Sequence, residues 1–358
     1  DMTQETAVKV VDTIFYTNSH YITIEFQWGE ALVNYPVVQF IVEYAREKAE
    51  LLSKSLNFSL VSNMTLLTED KMKWLLDRGV DICTSLDGDE ITHNNNRTGY
   101  DGNSFEKVTY WMKRVDEEKK KRKMGRVGAL LTVTKETLPK YKKIIDTYVE
   151  LGLSGIFLRW LNPYGFAASD MKTLAYKKEE WIDFYKKSLD YIIELNKNGT
   201  DFKEAITTVY LQKIFHQTDP NFMDIRSPSG LAVGWIAYNY DGKVYASDES
   251  RMLARMGMDD FLMTDMKDTG KETYESMINS DITKIAIQSS CLDGLPGYND
   301  HVYKPYIGVD IIHNFKTQGS VYCPMIKDEK MQMQIAIIDY IFEKLRDPEA
   351  EKILMSWV

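Results

Sequence analysis

Tyr21-Ile-Thr-Ile-Glu-Phe-Gln-Trp-Gly-Glu-Ala-Leu-Val-Asn34 decides how the rest of the chain is read. Tyr21 to Phe26 is rich in β-branched and aromatic residues with period-two alternation, which predicts a strand. Trp28-Gly29-Glu30 ends it, and a glycine there lets backbone come close to a ligand. A helical run follows from Pro36, a residue suited to a first helical turn. Strand, glycine-bearing turn and helix make the βα unit of an α/β fold. Ligands in such folds gather at the C-terminal ends of the strands.

Two further strands end in the same manner. Phe58-Ser-Leu-Val-Ser-Asn63 closes on small polar residues, and Val80-Asp-Ile-Cys-Thr-Ser-Leu-Asp-Gly88 closes on Ser85-x-Asp87-Gly88. Glu30, Ser62 with Asn63, and Ser85 with Asp87 therefore stand at three successive strand ends. In a parallel sheet such positions converge on one rim.

In this order, the strand ends resemble those of radical S-adenosylmethionine (SAM) enzymes of the peptide-modifying, SPASM-containing type. There the second strand ends in Gly-Gly-Glu-Pro, the third in Thr-Asn and the fourth in Ser-x-Asp-Gly. Here those places read Trp28-Gly29-Glu30-Ala31, Ser62-Asn63 and Ser85-Leu86-Asp87-Gly88, followed by His93 and Arg97. Ile156-Phe-Leu-Arg-Trp-Leu-Asn-Pro-Tyr-Gly-Phe-Ala167, the stretch Ala237 to Met252 and the closing Ser356-Trp357-Val358 are similar to the peptide maturases of His-Xaa-Ser systems. The resemblance covers nearly the whole chain. It implies an α/β fold: a partial (β/α)6 TIM-like barrel over residues 1–165, a helical bridge over 166–230 and a small SPASM-like C-terminal domain over 231–358. It also implies an enzyme that modifies a ribosomally made peptide (a RiPP) or protein by hydrogen abstraction with a 5′-deoxyadenosyl radical. Gly29 and Glu30 would hold the SAM ammonium. Ser62, Asn63 and Ser85 would bond its carboxylate or ribose, Asp87 would support the rim, and Arg159 would pair with an anionic part.

The departures are as specific. The family's Cys-x3-Cys-x2-Cys, which holds a [4Fe–4S] cluster, does not occur, and Asp1-Met-Thr-Gln-Glu-Thr resembles the helix after that loop. Either the chain starts beyond the first strand and cluster loop, with the cluster ligands upstream of Asp1, or the protein lacks them. Tyr298, His301 and Ile307 stand where the family's C-terminal module carries cysteine, so no auxiliary cluster is expected there and these side chains should fill the space. Trp28 replaces a glycine that lines the SAM pocket. An indole turned across that pocket would exclude the cofactor. The alternative function is accordingly a catalytically inactive, radical-SAM-like protein that binds peptides or scaffolds a partner.

Composition bounds the rest. The 358 residues carry 44 Lys and Arg against 53 Asp and Glu, a net charge of −9, which gives no general attraction to nucleic acid. Cys83, Cys291 and Cys323 are scattered and odd in number, which fits a reducing cytoplasm better than a disulfide framework. No apolar run is long enough to span a membrane.

Periodicity predicts helices over Thr3–Phe15, Pro36–Leu56, Thr68–Gly79, Phe105–Lys123, Leu138–Leu151, Glu179–Asn196 and Phe202–Phe215. It predicts strands over Val127–Val133 and Gly155–Leu161 and a hairpin around Asp241-Gly242. Asn162-Pro-Tyr-Gly165 reads as a turn-rich exit from the barrel. Asp248-Glu249 with Arg251 is a paired-carboxylate candidate whose simpler role is to cap the helix Glu249–Met256. A zinc site from His301 and two cysteines has irregular spacing against it.

Overall fold

The computed structural model describes residues 1–27, 29–97, 102–266 and 270–358, with Phe166 described by its backbone only. Five parallel strands lie side by side in chain order: β1 (Tyr21–Phe26), β2 (Ser55–Val61), β3 (Val80–Ser85) and β4 (Gly128–Thr132), and, past the two-residue β5 (Gly155–Ile156), β6 (Leu158–Arg159). Helices connect the successive strands, and the sheet curls into a half-barrel. Ile22, Ile24 and Phe26 face the core while Tyr21, Thr23 and Glu25 face out, the alternation the sequence carries. Each such buried side chain contributes about 1.5–3 kcal/mol.

The helix after β1 ends earlier than its apolar residues suggest. It spans Tyr35–Leu51, not Pro36–Leu56. Leu51 is 82% exposed, Ser53 takes a left-handed backbone (φ 50°), and β2 already pairs Ser55 with Tyr21. Leu51 and Leu52 extend the apolar pattern but not the buried face, which runs through Val38, Ile41, Val42, Ala45 and Ala49.

The strand expected over Gly155–Leu161 is split. β6 pairs with β4, whereas β5 pairs in parallel with β7 (Lys203–Glu204). Residues 202–204 are therefore not helical, and the helix there runs Ala205–His216. A separate two-stranded sheet, β5 with β7, thus has one strand in the stretch expected to be a helical bridge. Glu204 fixes the break: wholly buried, its carboxylate accepts from Leu158 N–H, Thr207 N–H, Thr207 Oγ1 and Tyr185 Oη. Those bonds compensate the burial of the group.

In the C-terminal half, β8 (Ala237–Tyr238) and β9 (Lys243–Tyr245) form the expected hairpin, turning at Gly242 with φ 87°, and β10 (Leu262–Asp265) adds to β9. Helix Gly270–Ile278 packs on helix Gln4–Ile14 so closely that a Cβ on Gly270 would lie 2.8 Å from Asp12 backbone. Helices Glu329–Lys344 and Pro348–Met355 pack on Lys178–Lys197, joined by Tyr340 Oη donating to Asp190 at 2.6 Å. Among the described residues no helix is long and apolar enough to cross a membrane.

Candidate functional site

Glu30 closes the turn after β1. Its extended backbone caps the short 3-10 helix Ala31–Asn34, and Oε1 accepts from the Leu32 N–H at 3.0 Å. Oε1 also accepts from the Ser62 hydroxyl and Oε2 from the Asn63 N–H, each at 2.9 Å. A carboxylate offers about four acceptor positions, so one remains open. Ser62 in turn accepts from Met64 N–H at 2.9 Å, and the exposed Asn63 holds Thr65 through its Oδ1. Gly29 has φ +67° with nothing within 4 Å of an added Cβ, so backbone strain rather than space calls for glycine. Trp28 lies outside the described residues.

The end of β3 is built as a knot. Asp87 is 2% exposed, and Arg97 donates to it twice, from Nε at 2.7 Å and from Nη2 at 3.3 Å. Asp87 Oδ1 also accepts from the Thr132 N–H at 3.2 Å, tying β3 to β4. The Asp87 N–H donates to His93 Nδ1 at 3.2 Å, so the neutral ring carries its proton on Nε2, which lies 3.1 Å from Ser104 Oγ. Burial pushes the His93 pKa down to about 4, keeping the ring neutral. A Cβ on Gly88, whose φ is +108°, would come within 2.8 Å of Ile144 Cγ1. The Ser-x-Asp-Gly run and its His and Arg thus fold as one unit, and Asp87 is committed to bracing it.

The remaining candidates lie between and beside these groups. Ser85 is half-buried and in register with Leu130. Arg159 is exposed, in register with Thr132, with its guanidinium 5.6 Å from the Phe157 ring centroid and no ion pair among the described residues. Glu30, Ser62 and Asn63 form one bonded set. Asp87, Thr132 and Arg159 line up beyond it, with Ser85 in the gap.

No protein-family model matches the sequence, and no curated protein matches it. Solved structures do. Native anSMEcpe with bound AdoMet and Kp18Cys peptide aligns with 98% of this chain and 91% of its own, at TM-score 0.75 and 18% identity. The same protein with bound AdoMet and Cp18Cys peptide gives TM-score 0.76, again at 18% identity, over 98% of this chain and 92% of its own. The chain has the partial (β/α) barrel fold of the radical SAM type. The partial barrel expected from the strand ends is the fold observed.

The C-terminal module is filled by side chains. Tyr298 is buried and its hydroxyl lies 3.0 Å from the Cys323 carbonyl and 3.2 Å from Asp328 Oδ2. Tyr303 stacks on Phe342 at 5.9 Å, Tyr306 meets the same ring edge-on, and Ile307 is buried. His301 accepts the Tyr303 N–H through Nδ1 at 3.1 Å, a turn contact. The three cysteines are free, and no metal-binding group of three or more His, Cys, Asp or Glu occurs among the described residues. Those residues do not supply a set of cluster thiolates.

Sequence reasoning missed a second polar region. Asp224 is exposed in part, and the protein packed around its carboxyl pushes its pKa up to about 6, with Glu249 and Asp310 adding to the rise. Lys330 and Arg159 act on Asp224 in the opposite sense. Gly308 packs tightly on this segment, because a Cβ there would lie 2.5 Å from the Asp224 carbonyl. Asp310, two residues on, caps helix Ile311–Gln318 and pairs with Lys330, whose Nζ lies 5.3 Å from the Trp160 ring centroid. Glu249 enters from helix Asp248–Arg255, capped by Ser247 rather than by the carboxylates themselves. Burial and then the neighbouring Asp248 raise its pKa well above the usual carboxylate range. Of these groups only the Asp248-Glu249 pair carries a local signal. Asp224 lies in the short 3-10 helix Met223–Ile225 and Asp310 caps helix Ile311–Gln318, segments far apart in sequence.

Proposed function

We propose that the protein is a radical SAM enzyme of the SPASM-containing type that modifies a ribosomally made peptide or protein. The observation that carries this is the row of polar groups from Glu30 to Arg159 along the C-terminal edge of a half-barrel sheet. The fold's likeness to AdoMet-bound anSMEcpe, also with a peptide, supports the same reading.

The residues present fit SAM. The open acceptor position of Glu30 and the bare Gly29 backbone suit an ammonium, and a charge-assisted bond there is worth roughly 1.5–3 kcal/mol. The Asn63 and Ser85 side chains, with buried Ser62 holding Glu30 in place, suit a carboxylate or ribose. Arg159, exposed at the β6 end, suits the anionic carboxylate. Asp87 positions the rim rather than touching ligand. Held there and given an electron by an external one-electron donor, SAM would supply the chemistry for hydrogen abstraction from the substrate. The protein orients the reactants and excludes water. Since the described residues hold no set of cluster thiolates, no step is assigned to an iron–sulfur group.

Calorimetric titration with SAM tests this. Glu30→Gln keeps shape and removes charge, and its SAM affinity is expected to fall about tenfold or more. Unchanged affinity would remove Glu30 from the site.

A further inference from the structure

The polar backbone groups between the Ser85 and Asp87 side chains are each held from a different element. The Leu86 N–H donates to the Leu130 carbonyl of β4 at 3.0 Å. The Asp87 N–H donates to His93 Nδ1, on helix Glu90–Asn96, at 3.2 Å. Between them, the Leu86 carbonyl accepts from the Tyr148 hydroxyl at 2.5 Å. The β4 bond continues a strand ladder and the His93 bond belongs to the Asp87 knot. Tyr148 reaches in from helix Tyr141–Glu150, which follows β4 in the chain.

That helix presses on the motif twice. Ile144 stands one turn before Tyr148 and so on the same face. It is the side chain that a Cβ on Gly88 would meet at 2.8 Å. Leu86 and Tyr148 are wholly buried and Ile144 nearly so. A buried carbonyl that loses its donor is costly, and burial keeps water from replacing it. Burial also holds the Tyr148 pKa well above the usual tyrosine value, so the hydroxyl keeps its proton and remains a donor.

We propose that Tyr148 is a positioning residue for the SAM site: by fixing the Leu86 carbonyl it sets the direction in which Ser85, one residue earlier, presents its hydroxyl to the ligand. A hydrogen bond weakens steeply as its angle closes, so a rotation of roughly 30° at the Leu86 peptide is enough to cost Ser85 its contact. Glu30 stands apart from this device, because its carboxylate is oriented by Leu32, Ser62 and Asn63 instead. Tyr148 should therefore act on SAM affinity through Ser85 and not through Glu30.

The inference rests on the reading of the rim as a SAM site with Ser85 as a contact, and double-mutant cycles separate the two. SAM is titrated calorimetrically into the full-length wild type, Tyr148→Phe, Ser85→Ala and Glu30→Gln, and into the doubles of Tyr148→Phe with each of the others. Tyr148→Phe should weaken SAM binding about threefold to tenfold. Combined with Ser85→Ala it should add little to that variant's own loss, whereas with Glu30→Gln the two losses should multiply. If Tyr148 were merely structural, the losses would multiply with both. 3-Fluorotyrosine in place of Tyr148 keeps the hydroxyl and should bind SAM as the wild type does, with a fluorine resonance that shifts on saturation. Unchanged affinity in Tyr148→Phe, losses that multiply with Ser85→Ala, or a fluorine resonance unmoved by SAM overturns the proposal, and the last of these is read even if Tyr148→Phe fails to fold. A wild type that binds no SAM defeats the enzymatic reading and this inference with it. SAM binding with losses that multiply in the Ser85 cycle defeats this inference alone.

Discussion

The rim and the acidic cluster around Asp224 use the same kinds of side chain to opposite ends. At the rim every carboxylate is held by the protein's own donors: Glu30 by three, and Asp87 by Arg97 and the Thr132 amide. At Asp224 no described hydrogen bond or ion pair reaches the carboxylate, and the buried Tyr164 hydroxyl has no partner among the described residues. A satisfied carboxylate is structure first and binds ligand only through what capacity remains. An uncompensated one costs stability and gains it back when something of opposite charge arrives.

Mutation should drive the two regions in opposite directions. The largest effect is expected at the Asp87 knot. Arg97→Met leaves Asp87 buried without its cation, and the loss should be about 3–5 kcal/mol in a denaturant midpoint analysis. A loss under about 1 kcal/mol would mean the knot is not the brace described. Next comes Ser62→Ala, which removes the donor to Glu30 and the acceptor of the Met64 N–H, both in a buried setting. About 1–3 kcal/mol is expected by the same measurement.

The smallest effect has the opposite sign. Burial pushes the folded pKa of Asp224 up to about 6, above the ordinary aspartate value of about 3.9. The folded state therefore binds more protons than the unfolded chain between those values, and stability falls as pH rises through that window. Asp224→Asn should melt above the wild type at pH 8 and level with it at pH 4. A variant that melts lower at both values would place Asp224 with the satisfied carboxylates and erase the contrast.

The rim was legible because its signals are local. Period-two alternation marks β1, and each polar pair follows its strand directly, so a few residues carry element and site together. Thr68 likewise caps its helix as its sequence suggests. The misses have physical causes. β7 is two residues long, too short for any period, and is held by the buried Glu204 rather than by a pattern. Leu51 and Leu52 continue an apolar stripe that Ser53 cuts short. The segments that carry Asp224 and Asp310 touch at Gly308, a long-range contact no window of sequence contains. Asp248-Glu249 shows the reverse: the pair is visible locally, but the influence of Glu249 on Asp224 is not.

The central claim is that the strand-end rim is a working SAM site, and one titration bears on it most directly. SAM is added to the full-length protein and to Trp28→Gly, the position where the family resemblance expects a glycine. The account predicts that the wild type binds SAM, with Trp28→Gly changing the affinity little. Binding that appears only in Trp28→Gly, or in neither protein, would contradict it and leave a peptide-binding protein on an enzyme's fold.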